Sequence, residues 1–357
     1  MVDLYESVET RRKGIEAQAF PGETYLQAKA RYLARNTSTP KAKKLPSASI
    51  RKAPEGDAQG DIFVPALYDV STKDSRSIMD VAVFRLSKKD KRAGAVIRYE
   101  LPDGHVEVVS SQYGMASVWD YDIVLMMISH LTEAMNRHRE GRGPMPTREF
   151  RPHVSEILKF CRRSDGGRQY QEIEAALDRL KTTTLKIVRT EKGRDGRPER
   201  KAIAPEGLIG GYEVVSYADN GHILSVKLTV PGWLHKEITE GAKSAVLTVH
   251  PDYFLIEPGI ARFLYRLARQ KAGMTFAKWS FKLIYERSGS LGTFKEFCRI
   301  LRGIVKTNDL PEYSLSELSG KVGPLLLMTN RSTQLGQFAK LLAEGETQDH
   351  EITPQTG

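Results

Sequence analysis

Residues 280–306, SFKLIYERSGSLGTFKEFCRILRGIVK, decide how this chain is read. A short run with Phe281 and Ile284 at helical spacing breaks at residues 288–292, rich in glycine and serine, and resumes as a longer amphipathic run from Phe294. At about 100° per residue, Phe294, Phe297, Leu301, Ile304 and Val305 share one arc of that second run. Lys295, Arg299, Arg302 and Lys306 fall within roughly 60° of one another on a separate arc. One face is built to bury; the other is a cationic stripe in which only Glu296 has the opposite sign. Solvated helix faces usually mix charges, so a stripe of one sign points to an anionic partner, and its shape suits a B-DNA major groove of about 12 Å. Two helices around a turn of small residues, the second carrying the basic face, follow the order of a helix-turn-helix.

The same pattern occurs earlier in the chain at a constant offset of 124 residues. At that offset Arg163-Ser164 falls on Arg287-Ser288, Tyr170 on Phe294, Glu172 on Glu296, Ile173 on Phe297, Leu177 on Leu301 and Leu180 on Ile304. Upstream, Ile157 falls on Phe281 and Phe160 on Ile284. Every aromatic or aliphatic position among these pairs keeps its apolar character, which reads as two copies of one supersecondary unit. Strands are expected after the first unit at residues 184–188, 211–217 and 222–230, the last two joined by the hairpin turn Asp219-Asn220-Gly221. Strands at 313–318 and 325–328 follow the second. With the charged loop EKGRDGRPERK at 191–201 as a wing, the expected fold is α+β: two tandem winged-helix domains.

Around these units the pattern predicts strands at 81–86, 95–101 and 106–110, the last two forming a hairpin at Pro102-Asp103-Gly104. A helix from Val118 to about Arg137, opened by Ser117 and Asp120, is apolar on nearly every face and therefore buried, its methionines serving as packing. Asp120 and Asp122 suit the positive end of its dipole better than a metal. A helix over 258–271 carries Arg262, Arg266 and Arg269 opposite Ile260, Phe263, Leu264 and Leu267, a second basic row expected to meet phosphates or an acidic partner. The division expected is a flexible basic arm at 1–60, a first domain at 61–230 for phosphate contact and dimerisation, a second at 231–330 for base reading, and a tail at 331–357.

Charge agrees with an anionic partner. The 357 residues carry a net charge of +10, with a pI near 9.4, and between Glu257 and Lys306 eleven basic residues face three acidic ones. Only two cysteines occur, Cys161 and Cys298, both in apolar helical patterns, so they are expected as reduced core residues of a cytoplasmic protein. No long apolar run suggests a membrane span or a signal peptide. The DNA contacts expected from the second unit are Lys278, Lys282, Arg287, Thr293, Lys295, Arg299, Arg302 and Lys306. Those from the first are Arg162, Arg163, Arg168, Gln169 and Gln171, with Arg194, Arg197, Arg200 and Lys201 of the wing. Acidic Glu172, Glu174 and Asp178 interrupt any basic face on the first unit, so base reading is assigned to the second.

No Gly-x-x-x-x-Gly-Lys-Ser/Thr loop, paired metal-binding histidines beside a nucleophile, or two-metal carboxylate cluster is legible, so neither an enzyme nor a cofactor or metal is expected. The runs YGMASVWDYDIVLMMISHLTEAMNR at 113–137 and FRPHVSEILKFCRRSDGGRQYQEIEAALDRLKTTTLKI at 150–187 resemble the plasmid replication initiator protein A family. So do VHPDYFLIEPGIARFLYRLARQKAG at 249–273 and SFKLIYERSGSLGTFKEFCRILRGI at 280–304, and the likeness extends over about residues 62–330. The resemblance implies tandem winged helices that bind origin iterons in double-stranded DNA, help open an adjacent AT-rich segment, and recruit the host initiator and replicative helicase machinery. It also implies monomers at iterons and a homodimer that represses its own gene. A transcriptional regulator without a replication role is the rival reading, separable by whether iterons lie beside the gene. A DNA-processing enzyme is a third, separable by nicking of origin DNA.

Overall fold

A computed structural model describes residues 50–51, 70–164, 166–192, 198–218, 221–241 and 245–332. Apart from Ile50 and Arg51 the expected basic arm lies outside these residues, as does all but the start of the tail. The architecture is mixed α and β, with seven α-helices and several antiparallel sheets among the described residues.

Strand β1 (Lys73–Ser75) leads to the hairpin β2 (Val96–Leu101) and β3 (Gly104–Val109), then to helix α1 (Tyr121–Arg139). Ser117 and Asp120 close α1 reciprocally: the Ser117 amide donates to the Asp120 carboxylate at 2.7 Å and the Asp120 amide to the Ser117 hydroxyl at 3.1 Å. Ile123 to Ile128 are all buried, as the continuous apolar run predicts.

Strand β4 (Glu149–Phe150), helices α2 (Val154–Phe160) and α3 (Gly167–Thr182), and strands β7 (Gly211–Tyr217) and β8 (Ile223–Thr229) follow, with the strands paired in the order β4-β8-β7. Helix α4 (Gly232–Glu240), strand β9 (Val246–Thr248), which pairs with β1, and helix α5 (Gly259–Lys271) connect to the second copy. That copy runs β10 (Phe276–Ser280), α6 (Phe281–Ser288), α7 (Phe294–Thr307), β11 (Tyr313–Leu318) and β12 (Leu325–Asn330), with strand order β10-β12-β11. In both copies a strand precedes two helices and pairs with the last strand of the hairpin that follows them. Burial repeats as well. Ile157 and Phe281, Phe160 and Ile284, Ile173 and Phe297, Leu177 and Leu301, and Leu180 and Ile304 are buried at both members of each pair.

Two expectations are corrected. Residues 81–86 form no regular strand; Val81, Ala82, Val83 and Phe84 are fully buried in a segment that bonds to the end of α6 and to the stretch before α1 instead. Its Ala82 amide donates to the Arg287 carbonyl and its Arg85 amide to the Ala116 carbonyl. In the charged stretch expected as a loop at 191–201, the described residues 191–192 and 198–201 are strand: β5 (Thr184–Lys192) and β6 (Pro198–Gly207) pair in an insertion that joins the sheet β2-β3-β5-β6. The hairpin matching β11–β12 in the first copy is therefore β7–β8, not β5–β6.

The basic row of α5 is also corrected. Arg262 and Arg266 are buried, because α5 packs into the middle of the molecule and its arginines neutralise carboxylates there. Arg262 donates to both Asp122 oxygens at 2.7 and 3.0 Å and to the carbonyls of Ile256 and Phe254. Arg266 donates to Asp74 at 2.6 Å, and Tyr121 donates to the other Asp74 oxygen at 2.9 Å. Arg269 donates to the Thr248 carbonyl at 2.6 Å. Buried charges persist only when paired and hydrogen-bonded, so Arg262 and Arg266 join α5 to α1 and β1 rather than facing a ligand, and the half-buried Arg269 joins it to β9.

Candidate nucleic-acid interface

Helix α7 begins where its sequence says it should. Thr293 caps it by accepting from the Glu296 amide at 3.2 Å, and Asn308 ends it in the left-handed conformation, φ 46°. Phe297, Leu301 and Ile304 are buried against α6 and the sheet, while Tyr285 stacks edge-on against Phe294 and Phe297 at 5.5 and 5.3 Å. Lys295, Arg299, Arg302 and Lys306 are all exposed, on the face away from that core. Thr293 is exposed at the N-terminal end of the same helix.

The face is less purely cationic than the sequence suggests. Arg299 is held by Glu296, with donor distances of 2.8 and 2.5 Å, and Arg302 by Glu317 of β11, with distances of 2.8 to 3.1 Å. The hydrogen bonds that both guanidiniums donate to these carboxylates keep them above their ordinary pKa. Glu317 lies fifteen residues away in sequence, across the turn into β11, so helical periodicity carries no sign of it. Beyond β11 the turn to β12 exposes Lys321 and Val322. Lys282 on α6 is exposed, 3.7 Å from Glu286 and 5.9 Å from the centre of the Phe294 ring. Lys278 is exposed on β10, opposite Leu327 of β12.

Arg287 is not part of this surface. It is buried beneath the turn between α6 and α7, and its carbonyl accepts from Ala82. Desolvation holds its pKa below the ordinary arginine value, against the attraction of Asp80.

In the first copy the expected contacts scatter. Arg168 is exposed at the start of α3 and pairs with Glu172 at 3.0 Å; Gln171 is exposed and Gln169 half-buried beside it. Arg163 instead turns inward, where its guanidinium meets Asp122 at 3.1 Å and the Trp119 carbonyl. Arg162 binds Asp252 at 2.5 Å with its side chain 20% exposed, and its carbonyl accepts from Arg51. Both are drawn in by buried or half-buried carboxylates on other elements. Arg194 and Arg197 lie outside the described residues; Arg200 and Lys201 sit on β6, opposite Thr190 and Arg189. Cys161 and Cys298 are buried, and burial pushes the Cys161 thiol up to about 12, leaving it unreactive. Among the described residues no helix is long and apolar enough to cross a membrane, and no group of three potential ligands could hold a metal ion.

The exposed face of α7 thus carries two lysines, Lys295 and Lys306, and two carboxylate-tethered arginines, Arg299 and Arg302, beside β11.

Residues 73–315 match the family model described as Replication initiator protein A. A protein of Wigglesworthia glossinidia brevipalpis, "Putative replication protein", is 27% identical over 239 residues, which is 66% of this chain and 82% of that one. Among solved structures, two of domains 2 and 3 of RctB superpose with TM-scores of 0.46 and 0.45 at 11% and 9% identity. They cover 72% of this chain and 99% and 97% of their own.

Proposed function

The chain belongs to the replication initiator protein A family, and on that premise we propose that it starts plasmid replication by binding origin iterons in double-stranded DNA. The two copies of strand, two helices and hairpin are winged helices, and α7 is the helix that reads bases. One observation carries this reading: the charged side chains Lys295, Arg299, Arg302 and Lys306 all stand exposed on one face, at helical spacing, while the opposite face is buried. The first copy, with Arg168 exposed and acidic residues on α3, contributes phosphate contacts and the homodimer surface. The protein acts by binding and by helping to open an adjacent AT-rich segment, leaving unwinding and synthesis to recruited host proteins, and it represses its own gene as a dimer.

The test is binding of the full chain to the repeats flanking its own gene. Replacing Arg299 and Arg302 together by alanine should weaken that binding at least about thirtyfold, since each of the two base-reading pairs contributes about 1–3 kcal/mol, while the circular dichroism spectrum stays unchanged. Retained affinity in the folded double variant would overturn the assignment.

A further inference from the structure

We infer that Glu317 is a positioning residue that aims Arg302 at guanine, so that the strand β11 takes part in sequence reading. The inference rests on the reading of α7 as the base-contacting helix and adds the element that directs it.

A guanidinium offers five donors in a rigid plane, grouped along two edges: one bearing Nε and Nη2, the other bearing Nη1 and Nη2. Glu317 occupies the first. Arg302 Nε lies 2.9 and 3.1 Å from its two oxygens, and Nη2 lies 2.8 Å from Oε1. The guanidinium carbon also sits 5.6 Å from the centre of the Phe281 ring. Arg302 is therefore held by an aromatic ring of α6 and a carboxylate of β11, and its end-on edge keeps the geometry that matches the O6 and N7 acceptors of guanine, the commonest specific contact in a major groove. Arg299 repeats the arrangement one turn earlier, its Nε and Nη2 taken by Glu296 at 2.8 and 2.5 Å.

Two physical consequences favour discrimination over bulk attraction. A lone arginine beside a duplex is drawn to whichever phosphate is nearest; a carboxylate at its side offsets that pull and leaves the directional donors in place. An arginine already fixed loses less rotamer freedom on binding. An exposed ion pair of this kind adds little to stability, so Glu317→Gln leaves the fold intact.

The experiment uses the full chain and a duplex that the wild-type protein selects from random oligonucleotides. Affinities are measured at fixed salt for that duplex, for versions with each guanine replaced in turn by 7-deazaguanine, which lacks the N7 acceptor, and for an unrelated duplex. In the wild type at least one replacement should weaken binding about tenfold. In Glu317→Gln and in Arg302→Ala that penalty should fall below about twofold, with binding to the unrelated duplex unchanged or tighter in Glu317→Gln and unchanged or weaker in Arg302→Ala. Glu317→Gln should add nothing in the Arg302→Ala background. A Glu317→Gln protein that keeps the full penalty overturns the inference, as does a selected duplex indifferent to every guanine replacement. Failure of the wild type to select any duplex would remove the DNA-reading proposal itself.

Discussion

At the scale of single residues, the type of a charged side chain is legible in the sequence but its destination is not. Arg262 and Arg299 both lie on amphipathic helices opposite an apolar arc, yet one is buried against Asp122 and the other is exposed. What separates them is a carboxylate more than a hundred residues away, which no local pattern reports. The buried pair Asp74–Arg266 gives a direct check. Arg266→Ala leaves a fully buried carboxylate without its cation and should destabilise the protein by about 3–5 kcal/mol in denaturant unfolding, whereas Arg299→Ala should change stability by less than about 1 kcal/mol. A second check is Glu237. Burial raises its pKa, against hydrogen bonds from Ser75 at 2.9 Å and Ser77 at 3.1 Å. A carboxyl whose folded pKa is raised favours the fold in its neutral form, so its stabilisation is complete below the unfolded pKa of about 4.3 and is lost as pH rises through the folded value. The melting temperature of Glu237→Gln should therefore gain on wild type as pH rises from about 4 to 7; a constant difference would contradict the burial argument.

At the scale of elements, helix identity and the repeat were readable because packing imposes 3.6-residue periodicity on both copies. Five of the six aligned apolar pairs are buried in each, Tyr170 and Phe294 being half-buried, and the helices of both copies are legible, whereas α4 has no counterpart in the sequence reading. Strands were less legible. The start of β5 is legible from its apolar residues, but its end and the start of β6 look like a charged loop because they are rich in charge and carry no apolar alternation, and residues 81–86 look like a strand because a buried connecting segment is just as apolar. The turn between α6 and α7 was visible from Ser288 and Gly289, but not what it touches. Gly289 adopts φ 57°, and a Cβ there would stand 2.4 Å from the Tyr99 hydroxyl. Arg92 donates to its carbonyl, and Tyr99 donates to Ala82 at 2.7 Å. Gly289→Ala combines left-handed strain with that clash and should cost more than about 1 kcal/mol. The cost should shrink in a Tyr99→Phe background, where the hydroxyl is gone; equal costs in the two backgrounds would mean that the turn is not seated on β2.

At the scale of the whole molecule, the buried core runs without interruption from Ile78 to Met328, through both copies of the repeat. Beta pairing between β1 and β9 and the arginines of α5 tie the segment before the first copy to the segment between the copies. Calorimetry should accordingly give a single unfolding transition with calorimetric and van't Hoff enthalpies in agreement; two resolved transitions would show that the copies unfold independently. By itself the sequence determined the repeat, the helices of its two copies, the buried face of each and the row of basic residues on α7, because these follow from helical spacing within each copy and its recurrence at a constant offset. Only the tertiary structure decided which basic residues stay outside, which hairpin pairs with each helical unit, and that Glu317 holds Arg302. Those depend on carboxylates and strand edges brought together from distant parts of the chain, where the energy of burying or pairing a charge is set by neighbours that a linear pattern does not contain.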